Sequence, residues 1–79
     1  MDYTTTITPA VLEELDKNAV AKWVTHELDT CAGEQARWHE HRASVVLADG
    51  DVLCIAMILD RKNHTIIVGE DKEIPSLPN

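Results

Sequence analysis

Apolar and polar positions along the chain change their period once, close to Gly33. Upstream they recur at three- and four-residue spacings, the signature of helix; downstream they alternate or run together, the signature of strand. Within the helical part, Val11, Leu12, Leu15 and Ala19 share one side of a helical wheel, whereas Val20, Trp23, Val24, Leu28 and Cys31 centre on a stripe rotated by about a quarter turn. One straight helix cannot bury both stripes. The polar run Asp16-Lys17-Asn18 separates them, and Asn18 is a capping residue type. The pattern predicts a short helix over 9–16, opened by Thr8-Pro9, and a longer one over 19–32 that ends on Gly33 in the left-handed conformation. A single kinked helix over 9–32 is the alternative.

From Arg37 to Gly69 the pattern reads as strands. Asp49-Gly50 separates two long apolar runs and signals a β-hairpin, and Asp60-Arg61-Lys62-Asn63-His64 turns the chain into a third strand, Thr65-Ile66-Ile67-Val68. The Thr-rich, β-branched stretch from Tyr3 to Ile7 suits an additional N-terminal edge strand. The expected fold class is α+β: two N-terminal helical segments on one face of a three-stranded antiparallel meander, in a single domain over 1–69. An acidic tail over 70–79, with Pro75 and Pro78, follows; it is extended or disordered unless Ile74 and Leu77 dock.

A two-residue Asp-Gly turn would pair Leu47 with Val52, Val45 with Cys54 and His41 with Ile58. Alternation then puts His39, His41, Ala43, Val45, Leu47, Val52, Cys54, Ala56, Ile58, Ile66 and Val68 on the face the helices cover. The opposite face carries Trp38, Leu53, Ile55, Met57, Leu59 and Ile67, an apolar patch larger than monomers usually expose. Three occupants suggest themselves: a second copy of the chain packed sheet to sheet, another protein, or the tail folded back through Ile74 and Leu77.

Length and charge bear on that choice. At 79 residues one core yields about 3–5 kcal/mol without help from a metal, a disulfide or a partner, so association is expected. Fourteen acidic against seven basic residues give a formal charge of −7, which argues against direct binding to nucleic acid or to an anionic membrane and in favour of a larger partner with a basic surface. No segment resembles a signal peptide or a membrane span, so the expected location is cytoplasmic. Cys31 and Cys54, too few for a disulfide framework, are read as reduced.

Candidate chemistry is sparse. In the expected register His39, His41, Asp60 and His64 share one end of one face, and His-x-His on a strand is one way to present ligands to zinc. The plainer reading, polar residues where the sheet meets water, is preferred because the spacing is not specific to a metal. No serine or cysteine stands beside an oriented base and no glycine-rich phosphate loop is present, so catalysis is not expected. Candidate partner-binding residues are Trp38, Leu53, Ile55, Met57 and Leu59 as apolar anchors, with Glu27, Asp29 and Glu34 as acidic contacts. The function this supports is that of a small acidic inhibitor or regulator. By analogy of size and charge alone it suits a phage or mobile-element protein that blocks a host nucleic-acid-handling machine, in the manner of anti-CRISPR and anti-restriction proteins. The alternative is a homodimeric accessory or assembly protein with an optional structural metal.

Overall fold

A computed structural model describes residues 2–77; Met1, Pro78 and Asn79, the last two part of the expected tail, lie outside the described residues. The fold is α+β. Strand β1 (Thr4–Ile7) leads into helix α1 (Pro9–Glu14) and helix α2 (Lys17–Thr30), followed by β2 (Trp38–Val46), β3 (Val52–Asp60), β4 (Thr65–Glu70) and a 3-10 turn at Asp71–Glu73. The sheet is mixed, in the order β1-β4-β3-β2: β1 runs parallel to β4, and the other two pairs are antiparallel.

The helix break lies where the two apolar stripes require it. Leu15 is extended and closes α1, and Asp16, not Asn18, caps α2 by accepting the Asn18 amide at 3.0 Å. Thr8 holds the N-cap position of α1, but its hydroxyl donates to Glu73 Oε1 at 3.0 Å, tying the start of the helix to the end of the chain. Gly33 does not take the left-handed conformation expected of it; Gly50 is the one described glycine with positive φ.

The main correction concerns register. Leu47 N–H donates to Asp51 O at 2.8 Å, and Gly50 N–H donates to Leu47 O at 3.0 Å, so the hairpin loop is Ala48-Asp49-Gly50, three residues rather than two. Only Gly50, at φ 90°, has positive φ there, which fits a type I turn closed by a glycine bulge; a two-residue type I′ turn would need Asp49 left-handed as well. The extra residue pairs Val45 with Leu53 and Ala43 with Ile55. The next loop is also one residue off the expected centre, pairing Asp60 with Thr65 instead of His64. The two shifts cancel between β2 and β4, so β3 alone is inverted.

That inversion changes what each face holds. Ile55, Met57 and Leu59 lie under the helices with Val11, Val20, Val24, Cys31, Ile66 and Val68, and Leu53 packs at the margin of this core. Ile55, Met57 and Leu59 are therefore core residues and not an exposed patch of partner-binding anchors, Met57 and Leu59 being 0% exposed, while Leu53 is half-buried. Burying large apolar side chains stabilises by about 1.5–3 kcal/mol each, so a register that placed all four in solvent would lose on the order of the whole stability of a small domain. Cys54, expected beneath a helix, is exposed on the opposite face.

The segment after Gly69 is part of the fold. β4 continues to Glu70, the following turn is closed by a capping box between Glu70 and Glu73, and Ile74 and Leu77 pack with Ala56, Ile58 and Trp38. Trp38 does lie on this second face, half-buried, with the Arg37 guanidinium 4.4 Å from its ring centroid. Arg42 fixes the segment by donating to Asp71 Oδ1 at 2.6 Å and to Ile74 O at 3.1 Å. The chain's own C-terminal segment, one of the three expected occupants, covers the part of the second face formed by Ala56, Ile58 and Trp38.

Candidate functional site

Chemistry-bearing residues gather along the seam between α2 and β2. At one end the seam is apolar. Leu15, Ala19, Val20 and Trp23 form one wall and Ala43, Val45 and Ile55 the other, around an open groove of about 340 Å³. It exists because α2 presents Ala19 and β2 presents Ala43 where larger side chains would close the layers together. Trp23 belongs only in part to the core, which makes it more than the simple core residue its helical spacing indicates.

Trp23 stacks at a tilt against His41, with ring centroids 5.4 Å apart, and His41 begins the polar end of the seam. Glu27, one turn of α2 beyond Trp23, is buried at 7% exposure and points its carboxylate at β2. His41 Nδ1 approaches Glu27 Oε1 to 2.6 Å, while His39 Nε2 lies 3.3 Å from Glu27 Oε2. The His41 contact is close but lacks the alignment of a hydrogen bond, which leaves the buried His41 Nδ1 without a hydrogen-bond partner. Burial pushes the Glu27 carboxyl up, but the two histidines outweigh it and hold it below its ordinary value.

The other ring nitrogen of His39, Nδ1, meets Glu34 Oε2 at 3.1 Å. Both nitrogens thus face carboxylate oxygens, which only accept, so both contacts are hydrogen bonds when each nitrogen carries a proton. Arg61 closes the cluster by donating to Ala36 O at 2.6 Å, to Cys31 O at 3.1 Å and to Glu34 Oε2 at 3.2 Å, pinning the connection between α2 and β2. Cys31 is buried at the end of α2, and Cys31, Glu34 and His39 each offer one donor atom within 4.8 Å of the others.

The expected set of His39, His41, Asp60 and His64 is not assembled. His39 faces Leu59 across the strands, and Asp60, opposite Trp38, is on the other face of the sheet. There Asp60 takes two bonds from Arg37 at 3.1 Å and accepts the Lys62 and Asn63 amides, organising the β3–β4 loop. Its carboxyl is held down to about 2, chiefly by the Arg37 hydrogen bonds and against a smaller opposing effect of burial. His64 adopts φ 54° in that loop and packs edge-on against Tyr3, 5.3 Å between centroids.

The acidic candidates also divide. Asp29 is exposed, Glu34 is exposed but engaged by His39 and Arg61, and Glu27 is a buried partner of two histidines rather than a surface contact. Arg61 was absent from the expected site, since nothing in a turn sequence shows which carbonyls a guanidinium will reach. No helix of the described residues is long and apolar enough to cross a membrane. Comparison with protein-family models, curated proteins and solved structures finds no match to the chain.

Proposed function

We propose that the chain is a protein-binding inhibitor or regulator that seats an apolar side chain of a basic partner segment in the groove between α2 and β2. The observation that carries this reading is the pairing of an open apolar groove, walled by Trp23 and Val45, with a chain of formal charge −7. Glu13, Glu14 and Asp16 precede and follow Leu15 in the sequence, and Asp49 and Asp51 occupy the hairpin tip beyond Val45, so acidic residues flank both walls along the chain. A partner with basic residues around an aliphatic or aromatic anchor complements that arrangement: charge accelerates encounter, and the buried anchor slows dissociation. Tryptophan at the mouth of a groove is a residue type that concentrates binding energy. A host protein that handles nucleic acid presents such a basic surface, which is the sharper form of the proposal.

The test uses isotope-labelled protein and two synthetic peptides, each with a central leucine, one flanked by lysines and one by glutamates. The lysine peptide is expected to perturb amide signals of Trp23, Ala43 and Val45, more weakly as salt rises, and Val45→Glu is expected to abolish the effect. Equal binding of both peptides, or perturbation confined to residues outside the groove, overturns the reading. For a protein retained from the native host's lysate, loss of binding in Val45→Glu and competition by that protein's nucleic acid are both expected.

A second reading, a homodimeric assembly protein, draws support from β2, whose nine residues form an outer edge of the sheet. Sedimentation at increasing concentration separates the two: a stable monomer removes the dimer and leaves the binding module.

A further inference from the structure

We propose that Cys31, Glu34 and His39 form a binding site for a zinc-class divalent metal, with Glu27 as the carboxylate that orients His39. Three observations converge on it. The donor atoms of the three residues already lie within 4.8 Å of one another, although they come from the end of α2, the following connection and the start of β2. Thiolate, carboxylate and imidazole are the three ligand types zinc accepts, and donors bound at about 2.0–2.3 Å in a tetrahedron stand roughly 3.3–3.7 Å apart, so no pair needs to close by more than about 1.5 Å. The third observation concerns the far side of the ring. His39 Nε2 is held by the buried Glu27 carboxylate at 3.3 Å, leaving Nδ1 directed toward Glu34. A carboxylate on the non-ligating nitrogen is the arrangement that fixes ring orientation and raises basicity in metal-bound histidines.

Charge and atoms balance. Glu34 uses Oε2 for both His39 and Arg61, so Oε1 is available to a metal while Arg61 keeps its hold. Binding forms metal–sulfur, metal–oxygen and metal–nitrogen bonds; the Cys31 thiol gives up its proton to solvent, and His39 Nδ1 binds as an unprotonated nitrogen with the remaining ring proton on Nε2, facing Glu27. A Cys31 thiolate, Glu34 and the adjacent buried Glu27 supply the negative charge that offsets a divalent cation. Three protein ligands leave a fourth position for water, the pattern of an accessible rather than a fully closed zinc site. The site differs from the one expected from sequence in every ligand but His39, and none of its three ligands lines the apolar groove.

The experiment is titration of the purified full chain with Co²⁺ and with Zn²⁺. One equivalent of Co²⁺ is expected to give the thiolate-to-cobalt charge-transfer absorption of a tetrahedral site, displaced by Zn²⁺, and Zn²⁺ is expected to raise the melting temperature until a chelator is added. Cys31→Ser is expected to remove the absorption and Cys54→Ser to keep it. Because Cys31 is buried, Glu34→Gln, an exposed position, provides the variant expected to stay folded by circular dichroism while losing at least tenfold in affinity. His64→Ala and Asp60→Asn are expected to bind as the parent chain does. Absence of the absorption, its survival in Cys31→Ser or its loss in Cys54→Ser, or unchanged affinity in Glu34→Gln overturns the proposal.

Discussion

Ile74 occupies the space a β-carbon on Gly69 would need: such an atom would stand 2.9 Å from Ile74 Cδ1 and 3.0 Å from Thr8 Cγ2. Gly69 pairs across the sheet with Ala56, so the two smallest side chains of the second face adjoin and form the seat for the C-terminal segment.

Gly69→Ala is therefore expected to cost about 1–3 kcal/mol, the usual range for overpacking a filled site. Ile74→Ala is expected to cost about 2–5 kcal/mol. The double variant should be less destabilised than the sum, because removing Ile74 frees the space the new methyl enters. Urea denaturation of the three proteins measures this, and strict additivity would show that the contact is not shared.

The three-residue hairpin loop separates two substitutions on the same strand. Met57→Glu places a charge at a position 0% exposed and is expected to prevent folding, whereas Val52→Lys, at 60% exposure, should change stability by no more than about 0.5 kcal/mol. Circular dichroism melts compare them. A folded Met57→Glu protein would refute the register.

Asp60 makes part of the stability depend on pH. Its folded-state value lies at about 2 against an ordinary 3.8, so its contribution is fully present above pH 3.8 and is lost as pH falls through about 2. Asp60→Asn is expected to be less stable than the parent at neutral pH and to have a flatter decline between pH 4 and pH 2. Melting temperatures across that window are the measurement, and parallel declines would mean that other carboxyls govern the acid limb.

Glu27→Gln removes the charge that faces both histidines while keeping the shape of the side chain. A loss of about 1–3 kcal/mol is expected, the range for a hydrogen bond to a charged group or for leaving one unsatisfied. His39→Gln in the same background should cost less than it does alone, since the shared Glu27 contact is already lost and only the contact to Glu34 remains to be removed. Chemical denaturation of the two single variants and the double variant gives the coupling directly.

Chain order, helix break, the three-stranded meander and the class follow from the sequence because each rests on local physics: the phase shift between Val11–Ala19 and Val20–Cys31, the Asp16 region as a capping signal, and Asp49-Gly50 as a turn. The sequence also places His39, His41, Ala43 and Val45 under the helices and Trp38 on the other face, since alternation within one strand needs no partner. What alternation cannot supply is the offset between strands. Asp-Gly fits a two-residue or a three-residue loop, and one residue decides which half of β3 is core. Tertiary packing made that choice, because only the observed register sets Ile55, Met57 and Leu59 beneath α2 and leaves Ala56 and Gly69 to receive Ile74. The site followed the same division. His39 was visible as a candidate, but its partners Glu27, Glu34, Cys31 and Arg61 come from separate elements and meet only when α2 lies across β2, a juxtaposition no local pattern in the chain encodes.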